Sequence, residues 1–338
     1  MPIALDATYS LGRNPSGVAV YSREILVGLA RAYPLERFLW YFRPHRFLRS
    51  FQDALPRNAT RRILRGAPRA PIFHALNQRV DGRAHRTVTT FHDLFVLTSQ
   101  YSSPEFRARF AEQARQAAER SDLIIAVSHF TARQVEELLK VDASRIRVVP
   151  HGARAPLHIS PARENLVLTV GAVQKRKNIA RLVKGFERMP AGWKLAIAGS
   201  AEGYGAAEEL RAVEESPRRR DIEVLGYVPA AALEDLYSRA RIFAFPSLDE
   251  GFGMPVLDAM ARGVPVVTSR RSAIPEVAGD AALLVEPEDI EELGAALGRL
   301  AGDEALRIDL ARRGQERAAE FTWETAVERT WKVYAELR

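Results

Sequence analysis

The sequence predicts an α/β protein made of two doubly wound, Rossmann-like domains. Strand-length apolar runs alternate with helical stretches from end to end, they fall into two series, and a Pro- and Gly-rich stretch separates the series. The first series is residues 3–8, 38–42, 72–76, 87–91, 123–127 and 146–150. The second is residues 166–170, 194–198, 222–226, 242–245, 265–268 and 282–285. Runs that are apolar on both faces belong to parallel sheets covered by helices on either side. Helical spacing marks 105–120 and 179–189 among the intervening segments. The boundary falls at Pro150-His151-Gly152 through Pro161, which holds three prolines and little apolar periodicity. The expected domains are therefore 1–152 and 153–321. The closing segment, 322–338, sets Trp323, Val327, Trp331, Val333, Tyr334 and Leu337 at roughly helical spacing.

Length and composition agree with two cores. A chain of 338 residues exceeds one typical core, and 47% hydrophobic content supplies both. No apolar run reaches the length of a membrane-spanning helix, about 20 residues. The first residues enter a strand pattern rather than a signal peptide, and a cytoplasmic location is the default expectation. The chain has no cysteine, which excludes disulfides and thiolate metal sites. Charge is unevenly placed: residues 1–150 carry 23 Lys and Arg against 13 acids, and residues 151–338 carry 26 against 29. Between Arg37 and Arg69, nine Arg face only Asp53, interleaved with Phe38, Trp40, Tyr41, Phe42, Phe47, Leu48 and Phe51. Basic plus aromatic reads as an anionic-surface site. No nucleic-acid-binding motif accompanies it, so a bilayer or a lipid-linked phosphate is the expected partner, not nucleic acid.

The most informative stretch is residues 246–268, PSLDEGFGMPVLDAMARGVPVVT. It runs from the end of one strand through a Gly-containing loop into a short helix. Glu250 precedes the loop, Asp258 lies inside the helix, and Gly251, Phe252, Gly253, Met254 and Pro255 stand between. Glycine lets backbone approach a ligand closely. Pro255 suits the first helical position. Amides at a helix start bind anions. Acids on both sides of an anion site suit a ligand with hydroxyls at both ends and phosphate in the middle, which is a nucleoside diphosphate sugar.

This stretch resembles the signature of the retaining glycosyltransferases of family 4, which have the GT-B fold. Their pattern is Glu, seven residues, Glu; here Glu250 is followed by Asp258, one methylene shorter. The resemblance implies that the first acid contacts the transferred sugar, the second holds the ribose, and the Gly-Phe-Gly loop offers amides to sugar and phosphate. It also implies two domains facing a cleft, with the C-terminal helix returning to the first domain.

Further motifs extend the resemblance. Gly171-Ala172-Val173-Gln174-Lys175-Arg176-Lys177-Asn178 follows a strand and opens a helix. Its cations suit a diphosphate, Arg through a planar fork and Lys as a point charge. Similar enzymes place an Arg and a Lys here against the leaving diphosphate; many carry the Arg where this chain has Ala172, so Arg176 is expected to supply it beside Lys177. Gly17, in the loop 12–19, matches a Gly-rich loop that covers the donor phosphates, although Ala19 stands where a second Gly is common. His92, in Phe91-His92-Asp93-Leu94, matches a His near the transferred sugar. Gly199 and the Gly226-Tyr227-Val228-Pro229 loop match the pocket for the nucleobase, with Tyr227 and Val228 contacting it through the main chain. No GxGxxG, Asp-x-Asp or metal-ligand spacing occurs.

The expected function is therefore a retaining, metal-independent glycosyltransferase without a cofactor. Mannose from GDP-mannose is the first donor expected, with UDP-sugars next. A saccharide or polyprenyl-linked acceptor in surface glycan assembly is expected, with possible peripheral placement on the inner face of the membrane. The alternatives are a GT-B sugar-nucleotide epimerase or phosphorylase, and a non-catalytic nucleotide-sugar binding protein.

Overall fold

A computed structural model describes residues 1–12, 16–154 and 163–338. The expectations for Arg13–Pro15, and for the linker prolines Pro156 and Pro161, lie outside the described residues. The chain forms two units. Unit 1 is Met1–Thr98, Pro104–Gly152 and Thr322–Arg338; unit 2 is Ser99–Ser103 and Ala153–Phe321.

Unit 1 is built on strands β1 (Ile3–Asp6), β2 (Phe38–Phe42), β3 (Ala59–Ile63), β4 (Ile72–Ala75), β5 (Arg86–Phe91), β6 (Leu123–Ala126) and β7 (Ile146–Val148). They pair in parallel in the order β3-β2-β1-β4-β5-β6-β7. Helices α1 (Gly17–Ala32), α2 (Pro44–Phe47), α3 (Phe95–Thr98), α4 (Pro104–Arg120) and α5 (His129–Leu139) join them. Ser16 and Ser128 cap α1 and α5 through bonds from Ala19 N (3.4 Å) and Thr131 N (3.0 Å), satisfying amides that a helix start leaves open. Every residue of β1, β4 and β6 is buried, as a sheet covered on both faces requires.

Unit 2 repeats the plan with strands β8 (Glu164–Val170), β9 (Lys194–Ala198), β10 (Ile222–Gly226), β11 (Ala240–Phe245), β12 (Val266–Ser269) and β13 (Leu283–Val285). These are again parallel, in the order β10-β9-β8-β11-β12-β13. Helices α6 (Ile179–Phe186), α7 (Ala206–Glu214), α8 (Ala230–Arg239), α9 (Met254–Ala261), α10 (Ile274–Ala278), α11 (Ile290–Gly302) and α12 (Glu304–Ala319) flank it. Phe186, Leu195, Ile197, Ile242 and Leu293 are among the fully buried side chains of its core.

The closing helix, α13 (Trp323–Ala335), is part of unit 1. Its Trp331 stacks on Tyr33 at 3.8 Å between ring centres. Its Tyr334 hydroxyl bonds His74 Nδ1 (2.6 Å), and His74 Nε2 bonds Thr90 Oγ1 (2.8 Å), which also bonds the Tyr21 hydroxyl (2.8 Å). This buried chain ties β4, β5, α1 and α13 together, and a neutral imidazole fits it, with one nitrogen donating and one accepting.

Two sequence expectations need correction. The basic segment is not one surface, because Phe38, Trp40, Tyr41 and Phe42 are the buried side chains of β2. Arg43 is buried as well, paired with Asp6 (3.2 Å) and Asp81. Burial pushes the Asp6 carboxyl above its usual range even with Arg43 beside it. The second correction is β3, an edge strand read as part of that basic run. An edge strand shows polar and charged side chains because only one side of it is paired.

A Cβ on Gly152 would lie 2.2 Å from the backbone nitrogen of Trp323. Gly152→Ala must therefore displace backbone at the start of α13. Overpacking of this kind costs about 1–3 kcal/mol, at roughly 2–4 °C per kcal/mol for a domain of this size. Calorimetry should find the melting temperature of the variant lowered by several degrees; an unchanged value would show that the two segments separate without cost.

Candidate active site

In unit 2 the chain order reverses between β8 and β11, since β8 leads outward to β9 on one side and β11 to β12 on the other. The carboxyl ends of strands at such a reversal open a crevice. Two loops meet there. One follows β8 from Gly171 to Asn178, the other follows β11 from Pro246 to Glu250.

Asn178 joins them. It sits in the left-handed region (φ 61°) at the start of α6, and its side-chain amide donates to Pro246 O (3.0 Å) and Pro287 O (2.6 Å). Leu248 N donates to Arg176 O (2.7 Å), so the loops are also joined by backbone. The result is a compact ionic cluster. Glu250 Oε1 accepts from Arg176 Nη1 (2.6 Å), Lys177 Nζ (2.5 Å) and Ser247 Oγ (2.6 Å). Arg176 Nη1 also donates to Asp249 O (3.0 Å), and Lys177 Nζ lies over the Phe245 ring at 4.5 Å. Ser272 Oγ accepts from Glu250 N (3.0 Å). Burial raises the Glu250 carboxyl, but Arg176 and Lys177 outweigh it and hold the group down at about 2. The carboxylate is therefore ionised in the folded protein.

The glycines carry the backbone geometry. Gly171 N donates to Ala198 O (2.9 Å) and Gly199 N to Gly226 O (2.7 Å), and a Cβ on Gly199 would lie 1.9 Å from Gly171 O. The ends of β8 and β9 thus approach more closely than any side chain would allow. Tyr227 follows as an exposed side chain, with Val228 partly covered. Gly251, Phe252 and Gly253 continue from Glu250 to α9; the Phe252 ring packs edge-on against Phe321. Gly253 caps α9 at φ +107°, where a Cβ would meet Ile274 Cδ1 at 2.6 Å. Met254 is the first helical residue, so Pro255 occupies the second helical position, not the first.

Asp258 is buried one turn into α9. Arg154 holds both its oxygens, through Nη2 (2.5 Å) and Nε (3.1 Å) to Oδ2 and through its backbone N to Oδ1 (3.2 Å). Arg262 lies 3.7 Å from Oδ1 and is itself paired with buried Glu234 at 2.6 Å.

In unit 1, Gly17 is the first residue of α1. His92 follows β5, and its Nε2 donates to Leu76 O (2.9 Å), which leaves the lone pair on Nδ1. Its ring meets Tyr21 edge-on at 4.7 Å and stacks with His151 at 5.5 Å. Burial lowers His92 to about 4 and His74 to about 3. Among the described residues no group of three His, Asp or Glu is placed to hold a metal ion.

The structure thus brings Glu250, Arg176 and Lys177 into direct contact within unit 2, with α9 beginning four residues further along the chain. Asp258 belongs to a neighbouring ion network. Ser247, Ser272 and Arg154 hold the two acids and were not singled out from sequence; the Pro-Ser pair before the loop was the only signal for Ser247.

The profile of the glycosyl transferases group 1 matches residues 157–317, and that of glycosyltransferase family 4 matches residues 18–154. The O-antigen chain mannosyltransferase B of Escherichia coli is 32% identical over 280 residues, 78% of this chain and 74% of the relative. The chain is a glycosyltransferase of this family. The D-inositol 3-phosphate glycosyltransferase of Corynebacterium jeikeium is 33% identical over 69% of this chain and 61% of its own length. Against the serotype-specific mannosyltransferase WbdA of E. coli, this glycosyltransferase spans only 32% of the relative's length, at 26% identity. Among solved structures, sucrose-phosphate synthase from Thermosynechococcus elongatus superposes over 100% of this chain and 99% of its own, with a TM-score of 0.80 and 22% identity. Anabaena Alr3699/HepE in complex with UDP-glucose gives 0.77 over 99% of each chain at 17% identity. These likenesses give the fold, GT-B, with two parallel-sheet Rossmann-like domains.

The ionisations fix the response to acid. The folded value of Glu250 lies below the ordinary 4.5, so its stabilisation is complete above that pH and lost as pH falls toward about 2. The folded values of His92 and His74 also lie below their ordinary 6.5, so the unfolded chain binds more protons and stability declines once pH drops below 6.5. Denaturant titrations should show that these imidazoles make the protein less stable at about pH 5 than at about pH 7. A flat profile over that range would mean that the imidazoles protonate freely in the folded state.

Proposed function

We propose that this glycosyltransferase moves mannose, with retention of anomeric configuration, from a nucleoside diphosphate donor to a saccharide or polyprenyl-linked acceptor in surface glycan assembly. GDP-mannose is the first donor and a UDP-sugar the second. The kinship to mannosyltransferases supports the sugar. The cluster of Glu250, Arg176 and Lys177 carries the reading of the reaction.

With no diphosphate bound, one carboxylate oxygen holds both cations. A donor diphosphate brings more negative charge and takes the cations over. Arg176 and Lys177 then stabilise the charge that grows on the leaving diphosphate. Glu250, released from two of its three donors, turns to the hydroxyls of the transferred sugar. Ser247 keeps the carboxylate in place during this exchange. The amides at Gly253 and Met254 serve the phosphates beside the helix start. The two fixed cations do the neutralising that a divalent metal does in other transferases, so no metal or cofactor is invoked. On the second-domain side, Gly171, Gly199, Tyr227 and Val228 receive the nucleoside. Asp258 takes the ribose hydroxyls in exchange for Arg154. Gly17 and His92 serve the donor from the first domain, His92 accepting a hydroxyl at Nδ1. The basic first half places the enzyme peripherally on an anionic membrane surface.

Removing one charge from the cluster separates binding from chemistry. Glu250→Gln should bind GDP or UDP about tenfold more tightly by calorimetry, because a competing anion is gone from the two cations. The same variant should transfer sugar far more slowly. Lys177→Ala should lose roughly 10²–10³ in kcat and weaken nucleotide binding. If Glu250→Gln binds nucleoside diphosphate no better than the parent, the exchange of partners is refuted.

A further inference from the structure

The segment after β2 sets two strongly exposed apolar side chains among arginines. Leu48 is 82% exposed and Phe51 is 61% exposed. They stand on one short helical stretch, α2 continuing as a 3-10 turn over Leu48–Gln52, together with Arg46 and Arg49. Phe47 and Phe51 meet edge to face at 5.5 Å. The stretch is held firmly from below. Ser50 is buried, its Oγ donates to Phe47 O (2.6 Å), and its own carbonyl accepts from Arg61 Nη2 (2.9 Å) and Nε (3.2 Å). Arg61 also sits 4.8 Å over the Phe51 ring. The apolar side chains are therefore presented by a fixed ridge on the edge strand β3.

Charge around the ridge is of one sign. From Arg43 to Arg69 the only acid is Asp53, which is paired with Arg23 at 3.4 Å. Arg43 is used internally, but Arg46, Arg49, Arg57, Arg65 and Arg69 have no acidic partner among the described residues. Exposed hydrocarbon among unpaired guanidinium groups matches one kind of surface. Hydrocarbon enters the boundary between headgroups and acyl chains, while arginine pairs with lipid phosphate. A nucleic acid has no apolar layer for Leu48, and Arg61 already covers one face of the Phe51 ring.

We infer that the ridge of Leu48 and Phe51, with Arg46 and Arg49 beside it, is the element by which this enzyme docks on an anionic lipid bilayer. This face deepens the peripheral placement proposed above and rests on it. The buried aromatics of β2 and the buried Arg43 take no part.

Vesicle sedimentation of the whole chain tests it, with phosphatidylglycerol–phosphatidylethanolamine vesicles against phosphatidylcholine alone. The protein should pellet with the anionic vesicles only, and less at high salt. Leu48→Ser/Phe51→Ser should weaken that binding at least about tenfold. Arg46→Glu/Arg49→Glu should weaken it at least as much, whereas Arg299→Glu, on α11 of unit 2, should change it little. Each variant is checked by thermal melting and by GDP and UDP binding. Lost sedimentation with parental nucleotide affinity and melting sustains the ridge. Undiminished pelleting of the Leu48→Ser/Phe51→Ser variant overturns it. So does an equal loss in Arg299→Glu, which would make net charge the whole effect, or binding to single-stranded oligonucleotide in place of vesicles. If no nucleotide binds even to the parent, the donor reading fails while the vesicle result still decides the ridge.

Discussion

One carboxylate oxygen shared by two cations organises the second unit. Burying Glu250 with Arg176 and Lys177 removes three charges from most of their water, which is costly unless the geometry is close and every group is bonded. Here Ser247 adds a neutral donor to the same oxygen, and Asp249 O accepts from Arg176. Two cations thus meet on a single Glu250 oxygen. A multivalent anion, as proposed for this corner, would meet both cations and the start of α9. The anion need not create the cation geometry, because the carboxylate has already drawn the side chains into place. That preorganisation is what electrostatic catalysis uses: charge forming on a leaving group meets donors that do not have to move far.

Backbone, not side chains, sets this corner in position. Asn178 can hold both Pro246 O and Pro287 O only because it adopts a left-handed conformation that Asn tolerates better than most residues. Gly199 can approach Gly171 only because it has no side chain. Parallel pairing of β8 with β11 brings the two loops to the same end of the sheet. The chemistry therefore depends on residues with no chemistry of their own, and substitutions at them act on the site through its frame.

Much of this was legible in the chain because parallel strands buried on two faces read as continuous apolar runs. All twelve of the strand runs marked from sequence appear in the two sheets. The strand that escaped, β3, lies at an edge, where half-exposed positions are filled by Thr60, Arg61 and Arg62 and the apolar signal fades. Motif spacing found Glu250, Arg176 and Lys177, since cations after one strand and an acid after another converge at a reversal of strand order. Spacing said nothing of Ser247 or Arg154, because each reaches its acid through a fold-level contact; Arg154 and Asp258 are 104 residues apart. The basic run misled in a different way. Composition counts Arg43 with Arg46 and Arg49, but only the fold reveals that Asp6 and Asp81 draw the first of them inside.

Asp258 shows how the shorter acid changes the local balance. Its carboxylate is gripped by Arg154 at both oxygens, and Arg154 is the second residue of the segment that enters unit 2. The residue before it, Ala153, donates its amide to Phe321 O (2.9 Å), the last residue before the chain leaves that unit. In unit 1, Gly152 lies against Thr322 and Trp323 in the same close manner. Arg154 thus anchors the first residues of unit 2 to α9. Asp258 keeps its charge close to α9, with Arg262 3.7 Å from Oδ1.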